Sequence, residues 1–454
     1  MSLKKNILKN GFATVVNKGI KIAEQLLLVP FFITAWGAAY YGEWLTLTII
    51  PSIIGFSDLG FGTAAANSFI LKYAGNEKQE AANIAKSGFL SVNIIVVSAM
   101  LLSSLVIVVL NYFDVFEKSL IPKHDAILAV VFLMFAKVLG FYQPLNDAYY
   151  RAARKASLSI NLSGLNSGLN LIVGLVVLLF KGGIVLFAFS NLIIAIVFTI
   201  FYTIMAKRIL PIAKEYTGVV LKSDIKAIFH KGFGFLLSPI WQAIFFQGST
   251  FVVRIVLGPV AVTIFNTVRT LTRSINQVNA MVISAVLPEL QYEIGAGQLN
   301  KARKVFRFGL TAITIISFAG VLFLYFGGPW FYEIWTRKAL NPPAMMWNVF
   351  ICGIVFNALW WMSSDVLIAI NRPYDFTIAG AIAATIAVVI SYLLAKQFGL
   401  TGAAIGSLVL DLLLFVYVLP RSCKFIEQPI NSLISDSIGD CRGFLEIIRN
   451  KINY

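Results

Sequence analysis

Residues 183–206 read GIVLFAFSNLIIAIVFTIFYTIMA, an apolar run without a charged side chain. About 20 such residues in a helix are enough to cross the hydrocarbon core of a bilayer. Comparable runs recur along nearly the whole chain of 454 residues, of which 58% are hydrophobic and 13% charged, and the mean hydropathy is +0.82. A β-barrel of the outer membrane would instead show short segments of alternating polarity. The sequence therefore predicts an all-α polytopic membrane protein.

The apolar runs and the polar breaks between them predict about twelve transmembrane helices. The two halves of the chain look related, because Gly37 and Gly258 begin corresponding external turns and residues 75–78 follow the second span as residues 297–300 follow the eighth. Two six-helix lobes related in this way form a parallel repeat, and such repeats usually enclose a central cavity. The predicted spans are 12–34, 44–66, 88–110, 126–148, 158–180, 183–206, 233–256, 260–286, 308–327, 345–370, 375–395 and 400–420.

These spans predict four domains. An N-terminal six-helix lobe covers residues 1–206, and a cytoplasmic linker with an interfacial helix covers 207–231. The C-terminal six-helix lobe covers 232–422, and a cytoplasmic tail covers 423–454. Leu221, Ile225, Ile228 and Phe229 share one face of the linker helix, and we expect this face to lie on the inner leaflet.

Basic residues are concentrated in every second loop. Most of the Lys and Arg residues outside the spans lie in the loops that follow spans two, four, six and eight. The positive-inside rule places these loops, and with them both termini, in the cytoplasm. The formal net charge of +16 is then explained by contact with anionic membrane lipids. Nucleic acid is not an expected partner.

Permanent cations also occur inside the predicted spans. Arg269 and Arg273 lie one helical turn apart in the eighth span. A charged residue at the bilayer centre costs about 2.5–3.5 kcal/mol on insertion scales, so such residues usually face a polar cavity. Arg binds phosphate oxygens through a bidentate fork, whereas Lys acts as a point charge. The predicted cationic wall, suited to a pyrophosphate, comprises Arg269, Arg273, Arg254, Lys137, Lys18 and Lys21, with Asn266, Gln277 and Gln247 as polar cavity lining.

Several of these cations have a structural alternative. Lys18 and Lys21 lie near the cytoplasmic end of their span, where their amines could reach the lipid headgroups. Arg254 could lie at the external end of its span. Lys137 could pair with a carboxylate such as Asp147 or Asp58 instead of lining a cavity. The sequence leaves these alternatives open.

Intramembrane carboxylates are candidates for coupling transport to H⁺ or Na⁺. They are Asp365, Asp411, Glu24 and Asp58, with charge compensation or helix capping as the alternative that we favour for Asp58. No cofactor is expected. The three cysteines and two histidines have no metal-binding spacing. No nucleotide-binding loop of the Walker type is present, so a secondary mechanism without ATP hydrolysis follows.

Two short motifs resemble those of a known family. Residues 36–44 read WGAAYYGEW, residues 58–62 read DLGFG, and Asn371-Arg372-Pro373 follows the tenth span. The chain resembles, from about residue 5 to 422, the Wzx-type O-antigen flippases of the polysaccharide transporter family. These belong to the multidrug/oligosaccharidyl-lipid/polysaccharide exporter superfamily. The related lipid II flippases generally have two further C-terminal spans, and this chain does not show them.

The resemblance implies a non-enzymatic flippase. It would move an undecaprenyl-pyrophosphate-linked oligosaccharide, such as an O-antigen repeat unit of lipopolysaccharide, across a bacterial cytoplasmic (inner) membrane by alternating access. Expected partners are that lipid, the membrane lipids, and a polysaccharide polymerase and chain-length regulator. One alternative is a multidrug cation extruder of the same superfamily. Another is a membrane O-antigen polymerase or ligase, although the longest external connections, at 111–125 and 328–344, are short for an enzyme of that kind.

Overall fold

The structure, a computed structural model, describes residues 3–55, 60–295, 297–370 and 372–452, and within these ranges it is helical with no β-strand. Two short 3-10 turns, Phe116–Lys118 and Gly140–Tyr142, interrupt the helices. The all-α class predicted from the sequence is thus confirmed. The helices are α1 (Leu3–Leu47), α2 (Ile49–Gly55), α3 (Phe61–Ala74), α4 (Lys78–Tyr112), α5 (Lys123–Leu139), α6 (Gln143–Ala152), α7 (Ala156–Leu179), α8 (Ile184–Ile209), α9 (Ile212–Glu215), α10 (Lys222–Leu257), α11 (Pro259–Gly295), α12 (Leu299–Phe326), α13 (Gly328–Trp335), α14 (Ala344–Ala369), α15 (Pro373–Phe425) and α16 (Ile430–Ile452).

Nine helical segments within the described residues are long and apolar enough to cross a membrane. Two of them, Phe12–Gly55 and Tyr374–Phe425, are far longer than a single span requires. Each contains one glycine with a non-helical backbone, Gly37 or Gly399, so α1 and α15 both consist of two helices in sequence. Helix α11 is not among the nine segments, although its 37 residues would span a bilayer.

Two of the predicted spans are not single helices. The span predicted at 44–66 is divided among the end of α1, α2 and the start of α3, where Gly60 has a positive φ of 70°. The span predicted at 126–148 is divided between α5 and α6 by the 3-10 turn at Gly140–Tyr142. Pro144 lies in the first turn of α6, where the missing amide of a proline is tolerated. The positive φ of Gly60 therefore interrupts the second predicted span, whereas the fourth stays within one membrane-spanning segment, Lys123–Ala152.

The chain divides into two compact units, Met1–Ala243 and Ile244–Tyr454. In the first, α1 packs on α7, α5 packs on α8, and α3 packs on α4 and α6. Its core includes stacked aromatic rings, with Phe69 against Tyr149 and Tyr150 against Tyr202. In the second, α14 packs along α15, and α11, α12 and α14 contact one another around Phe306 and Met362. The two-lobed fold expected from the sequence is present, although the division falls within α10.

The predicted linker helix does not form as a separate element. Residues 207–231 comprise the end of α8, the short helix α9 and the first turns of α10. Ile228 is buried and the ring of Phe229 lies 4.3 Å from that of Phe61. Leu221 stays exposed. Part of the face expected on the inner leaflet therefore contacts protein, and its position at the membrane stays a prediction. The predicted boundaries of the lobes and the tail stay predictions.

The glycines that suggested a repeat occupy equivalent turns. Gly37 and Gly258 have positive φ angles of 80° and 86°, a conformation that glycine adopts without steric cost. Asn76 and Gly297 have φ angles of 64° and 71°, and a helix begins two residues after each. The spacing from Gly37 to Asn76 equals that from Gly258 to Gly297. The residue equivalent to Gly297 is thus Asn76, and not Gly75 as the sequence comparison indicated.

Candidate functional site

The guanidinium of Arg269 lies among polar groups of α10 and α11. Its Nη1 donates to the hydroxyl of Ser249 at 2.8 Å and to the carbonyl oxygen of Phe246 at 3.3 Å. Its Nη2 donates to the hydroxyl of Thr250 at 2.8 Å and to the side-chain oxygen of Asn266. Four neutral acceptors therefore hold one permanent cation in a fixed orientation. Hydrogen bonds to a charged donor are the stronger kind in proteins.

Aromatic faces complete the environment of the two arginines. The guanidinium carbon of Arg269 lies 5.2 Å and 5.4 Å from the ring centres of Phe265 and Phe246. The guanidinium carbon of Arg273 lies 4.1 Å from the same Phe246 ring. A cation within about 6 Å of an aromatic face is attracted to it. Phe246 thus joins the two cations, with Arg269 half-buried and Arg273 exposed.

Neither arginine forms an ion pair with a carboxylate whose side chain the structure describes. Two like charges one helical turn apart repel each other, and neutral hydroxyls and rings do not cancel that charge. We name Arg269, Arg273 and their contacts Phe246, Ser249, Thr250 and Asn266 the arginine site. This arrangement offers positive charge to an anion while its own hydrogen bonds keep Arg269 in place.

The other residues of the second unit that were predicted to line the cavity differ in their surroundings. Asn266 contacts Arg269 and also donates to the carbonyl oxygen of Val262 at 3.0 Å. It therefore helps to position Arg269, and its role as cavity lining stays a prediction. Gln247 and Gln277 are half-buried on α10 and α11. Arg254 lies one turn before the end of α10, which agrees with the alternative that it occupies the end of its span.

The predicted lysines belong to the first unit. Lys18 is half-buried on α1, and Lys21 is exposed one turn further on. Glu24 lies within electrostatic range of both Lys21 and Lys137. Lys137 thus has a carboxylate neighbour, Glu24, as one alternative required. Asp147 accepts hydrogen bonds from Ser159 at 2.9 Å and from Tyr202.

The candidate coupling carboxylates of the second unit differ in their hydrogen bonding. Asp411 accepts a hydrogen bond from Asn357 at 2.8 Å and one from the indole of Trp360 at 2.9 Å. Asp365 is 2% exposed, and one of its oxygens has no hydrogen-bond partner among the described residues. Asp58, like Asn371 of the family motif, lies outside the described residues. No group of three or more His, Cys, Asp or Glu side chains suited to a metal ion occurs in the part of the chain that the structure describes.

Sequence reasoning missed the partners of Arg269 that come from another helix. Phe246 and Ser249 precede Arg269 by about 20 residues, and only the packing of α10 on α11 brings them together. The sequence did indicate that Thr250 belongs to a polar face, because it shares a helical face with Gln247 and Arg254. A pairing of polar residues between adjacent predicted spans would have identified Ser249 as well.

Solved structures share this architecture. An inward-facing multidrug resistance MATE family transporter of the MOP superfamily aligns with a TM-score of 0.75 at 16% identity, over 91% of this chain and 98% of its own. The chain has the fold of a MATE-type transporter. An outward-facing transporter of that family aligns with a TM-score of 0.67 at 15% identity, over 93% of this chain and 96% of its own.

A third solved structure with the MATE-type fold is a MOP superfamily transporter from Pyrococcus furiosus. It aligns with a TM-score of 0.66 at 15% identity, over 95% of this chain and 96% of its own, and is described as having a binding pocket of reverse polarity that suggests a different function. No protein-family model and no curated protein matches the chain. At these identities the likeness establishes the fold alone. The nine long apolar segments within the described residues indicate a multi-pass membrane protein.

Proposed function

We propose that this protein is a secondary transporter that flips an undecaprenyl-pyrophosphate-linked oligosaccharide from the inner to the outer leaflet of a bacterial cytoplasmic membrane. The observation that carries the proposal is the arginine site, where two guanidinium groups share one aromatic ring and neither pairs with a described carboxylate. A pyrophosphate provides the missing negative charge, and Arg forks match its oxygens. The MATE-type fold supports a transporter.

The membrane potential favours the proposed movement of the lipid from the inner to the outer leaflet. A pyrophosphate carries about two negative charges, and each charge that crosses the membrane gains about 2.3 kcal/mol per 100 mV. Because the interior of the cell is negative, outward movement of an anion is favourable. A polysaccharide polymerase and a chain-length regulator are the proposed partners that would use the flipped product. Coupling to H⁺ or Na⁺ through Asp365 or Asp411 is a proposed addition to this driving force.

A multidrug cation extruder is the second candidate. Asp365 is a buried carboxylate with an unpartnered oxygen, and a carboxylate attracts cationic substrates. The neighbours described as multidrug transporters favour this function. Against it, the exposed charge of the arginine site is positive and would repel an organic cation. The neighbour described as having reverse polarity indicates that pocket charge differs among proteins with this fold.

The test measures the rate at which the purified protein flips the lipid in proteoliposomes. A membrane potential is imposed that is positive on the side to which the lipid moves. The substrate is a fluorescent undecaprenyl-pyrophosphate oligosaccharide. We expect Arg269→Ala plus Arg273→Ala to slow flipping about 10- to 100-fold, because hydrogen bonds to a charged group are worth about 1.5–3 kcal/mol and each 1.4 kcal/mol is a factor of ten.

The matched control removes two exposed cations from α12, Lys301→Ala plus Lys304→Ala, and should flip the lipid at the wild-type rate. Unchanged flipping by a folded arginine double variant would reject the arginine site as the anion site. No flipping of any such lipid by the wild type, together with export of an organic cation that Asp365→Asn abolishes, would establish the extruder instead.

A further inference from the structure

The first unit contains a polar cavity. It has a volume of about 310 Å³ and lies between α3 and the junction of α5 and α6. Thr63 and Asn67 line it from α3, and Gln143, Asp147 and Arg151 line it from α6. On each helix these residues are spaced by four, so each helix turns one polar face toward the cavity.

Most of the polar side chains that line this cavity form no hydrogen bond with another described residue. Among the described residues, the side chains of Thr63, Asn67, Gln143 and Arg151 form no hydrogen bond, and Arg151 forms no ion pair. A folded protein usually satisfies such groups internally or leaves them to solvent or a ligand. Asn67 and Arg151 are exposed, and Thr63 and Gln143 are half-buried. All four can therefore exchange hydrogen bonds with water for hydrogen bonds with a ligand that enters the cavity.

Asp147 is fixed in place while keeping one oxygen available. Its Oδ1 accepts hydrogen bonds from the hydroxyls of Ser159 and Tyr202, and the same two hydroxyls lie 2.9 Å apart. Its Oδ2 has no hydrogen-bond partner among the described residues. A carboxylate that is held by one oxygen and free at the other is prepared to accept a hydrogen bond from a ligand.

The chemistry of the cavity points to a neutral ligand with several hydroxyl groups. The carboxylate of Asp147 accepts, the guanidinium of Arg151 donates, and the amides of Asn67 and Gln143 do both. One negative and one positive charge leave the wall neutral in sum, unlike the arginine site. The volume lies at the lower end of the range of about 300–1,000 Å³ for small-molecule pockets, so a single ring fits better than a whole oligosaccharide.

We propose that this cavity binds one sugar ring of the transported glycolipid and so contributes to recognition of the glycan. The choice of a sugar among hydroxylated ligands rests on the proposed flippase function, whereas the cavity and its free polar groups do not. The cavity would then bind one sugar of the glycan, whereas the arginine site would bind the pyrophosphate.

The test is saturation-transfer NMR of the full-length protein in a detergent without a sugar headgroup. The probes are methyl glycosides of N-acetylglucosamine, galactose and rhamnose, together with glycerophosphoethanolamine as a zwitterionic lipid headgroup. We expect at least one glycoside to bind the wild type, and Gln143→Ala to weaken that binding about tenfold. The matched control, Gln397→Ala, removes an exposed glutamine of the second unit and should bind as the wild type does.

Asn67 is exposed, so Asn67→Ala provides a second variant with the same expected loss if Gln143→Ala does not fold. The inference is overturned if no glycoside binds, if both variants bind as tightly as the wild type, or if only glycerophosphoethanolamine binds. Flipping by the same protein after reconstitution into proteoliposomes separates the sugar site from the flippase function. Glycoside binding without flipping rejects the flippase function and keeps the sugar site, whereas flipping without glycoside binding does the reverse.

Discussion

At the residue scale, Arg269 and Arg273 have the same charge but different environments. Arg269 donates four hydrogen bonds to Phe246, Ser249, Thr250 and Asn266, whereas Arg273 contacts the Phe246 ring. Lysine keeps the charge but has no planar fork. We expect Arg269→Lys to lower the free energy of unfolding by about 1.5–3 kcal/mol, the worth of a hydrogen bond to a charged group. Arg273→Lys should cost about 1 kcal/mol or less, as for an exposed cation–aromatic contact.

Thermal unfolding of the two purified variants in one detergent measures this difference. The apparent Tm of Arg269→Lys should fall clearly below that of Arg273→Lys. Equal shifts would mean that the hydroxyls of Ser249 and Thr250 do not stabilise Arg269. Because both variants keep two positive charges, their flipping rates also separate the role of the charge from that of the fork.

The sequence predicted the arginine pair because spacing along one helix is a local property. It could not predict that Ser249 and Thr250 orient Arg269, since that depends on the rotation of α10 against α11. The same limit applies to Lys137 on α5, which has Glu24 of α1 within electrostatic range. Contacts within a helix can be predicted from spacing, whereas partners on neighbouring helices depend on tertiary packing.

At the element scale, the repeated turns were partly predictable. The amide of Glu77 donates to the carbonyl of Lys72 as that of Gln298 donates to Glu293, so both turns close the preceding helix in the same way. Glycine marks the left-handed position in the second turn, but asparagine occupies it in the first. Asparagine tolerates this conformation better than most residues. A comparison that searched only for glycines therefore misplaced the equivalence by one residue.

Helix α16 is attached to α12 through Arg307, whose side chain is 11% exposed. Arg307 donates to Asp440 at 2.6 Å and to Gln428 at 2.7 Å, and it lies 3.7 Å from Asp436. We expect Arg307→Ala to release α16 while the bundle stays folded. A lost charged hydrogen bond of about 1.5–3 kcal/mol should speed amide exchange in residues 430–440 about 10- to 100-fold.

Hydrogen exchange followed by mass spectrometry measures this release, with Lys304→Ala as the control on the same helix. Hydrogen bonds from Gln428 and Ser432, and then the charge of Arg307, hold the pKa of Asp436 below its usual value. A lowered pKa gives stability that is present above the usual value of about 3.9 and is lost as the pH falls through the lower value. The protection of the α16 amides, corrected for the known pH dependence of intrinsic amide exchange, should thus not change with pH between 5 and 8. A loss of protection within that range would contradict this account.

At the scale of the whole molecule, hydropathy predicted the class and nearly all spans, but not their continuity. The kinks at Gly37 and Gly399 divide α1 and α15 where two spans were expected. The second predicted span is broken at Gly60, where φ is positive, whereas the fourth continues through a 3-10 turn within the segment Lys123–Ala152. The central cavity expected between the lobes stays a prediction. Hydropathy averages over a window, so it detects burial in lipid and misses single residues that end a helix.

The orientation of the protein in the membrane decides whether the potential drives the proposed reaction. The distribution of basic residues predicts both termini in the cytoplasm. In a variant whose native cysteines are replaced by serine, Phe113→Cys and Asn341→Cys should react with a membrane-impermeant maleimide in intact cells. Asn300→Cys should react only after the membrane is permeabilised. All three positions are exposed. The reverse pattern would place the basic loops outside and contradict the orientation. Any cavity that opens on the side of those loops would then load its anion outside, and the potential would oppose inward movement by about 2.3 kcal/mol per charge for each 100 mV.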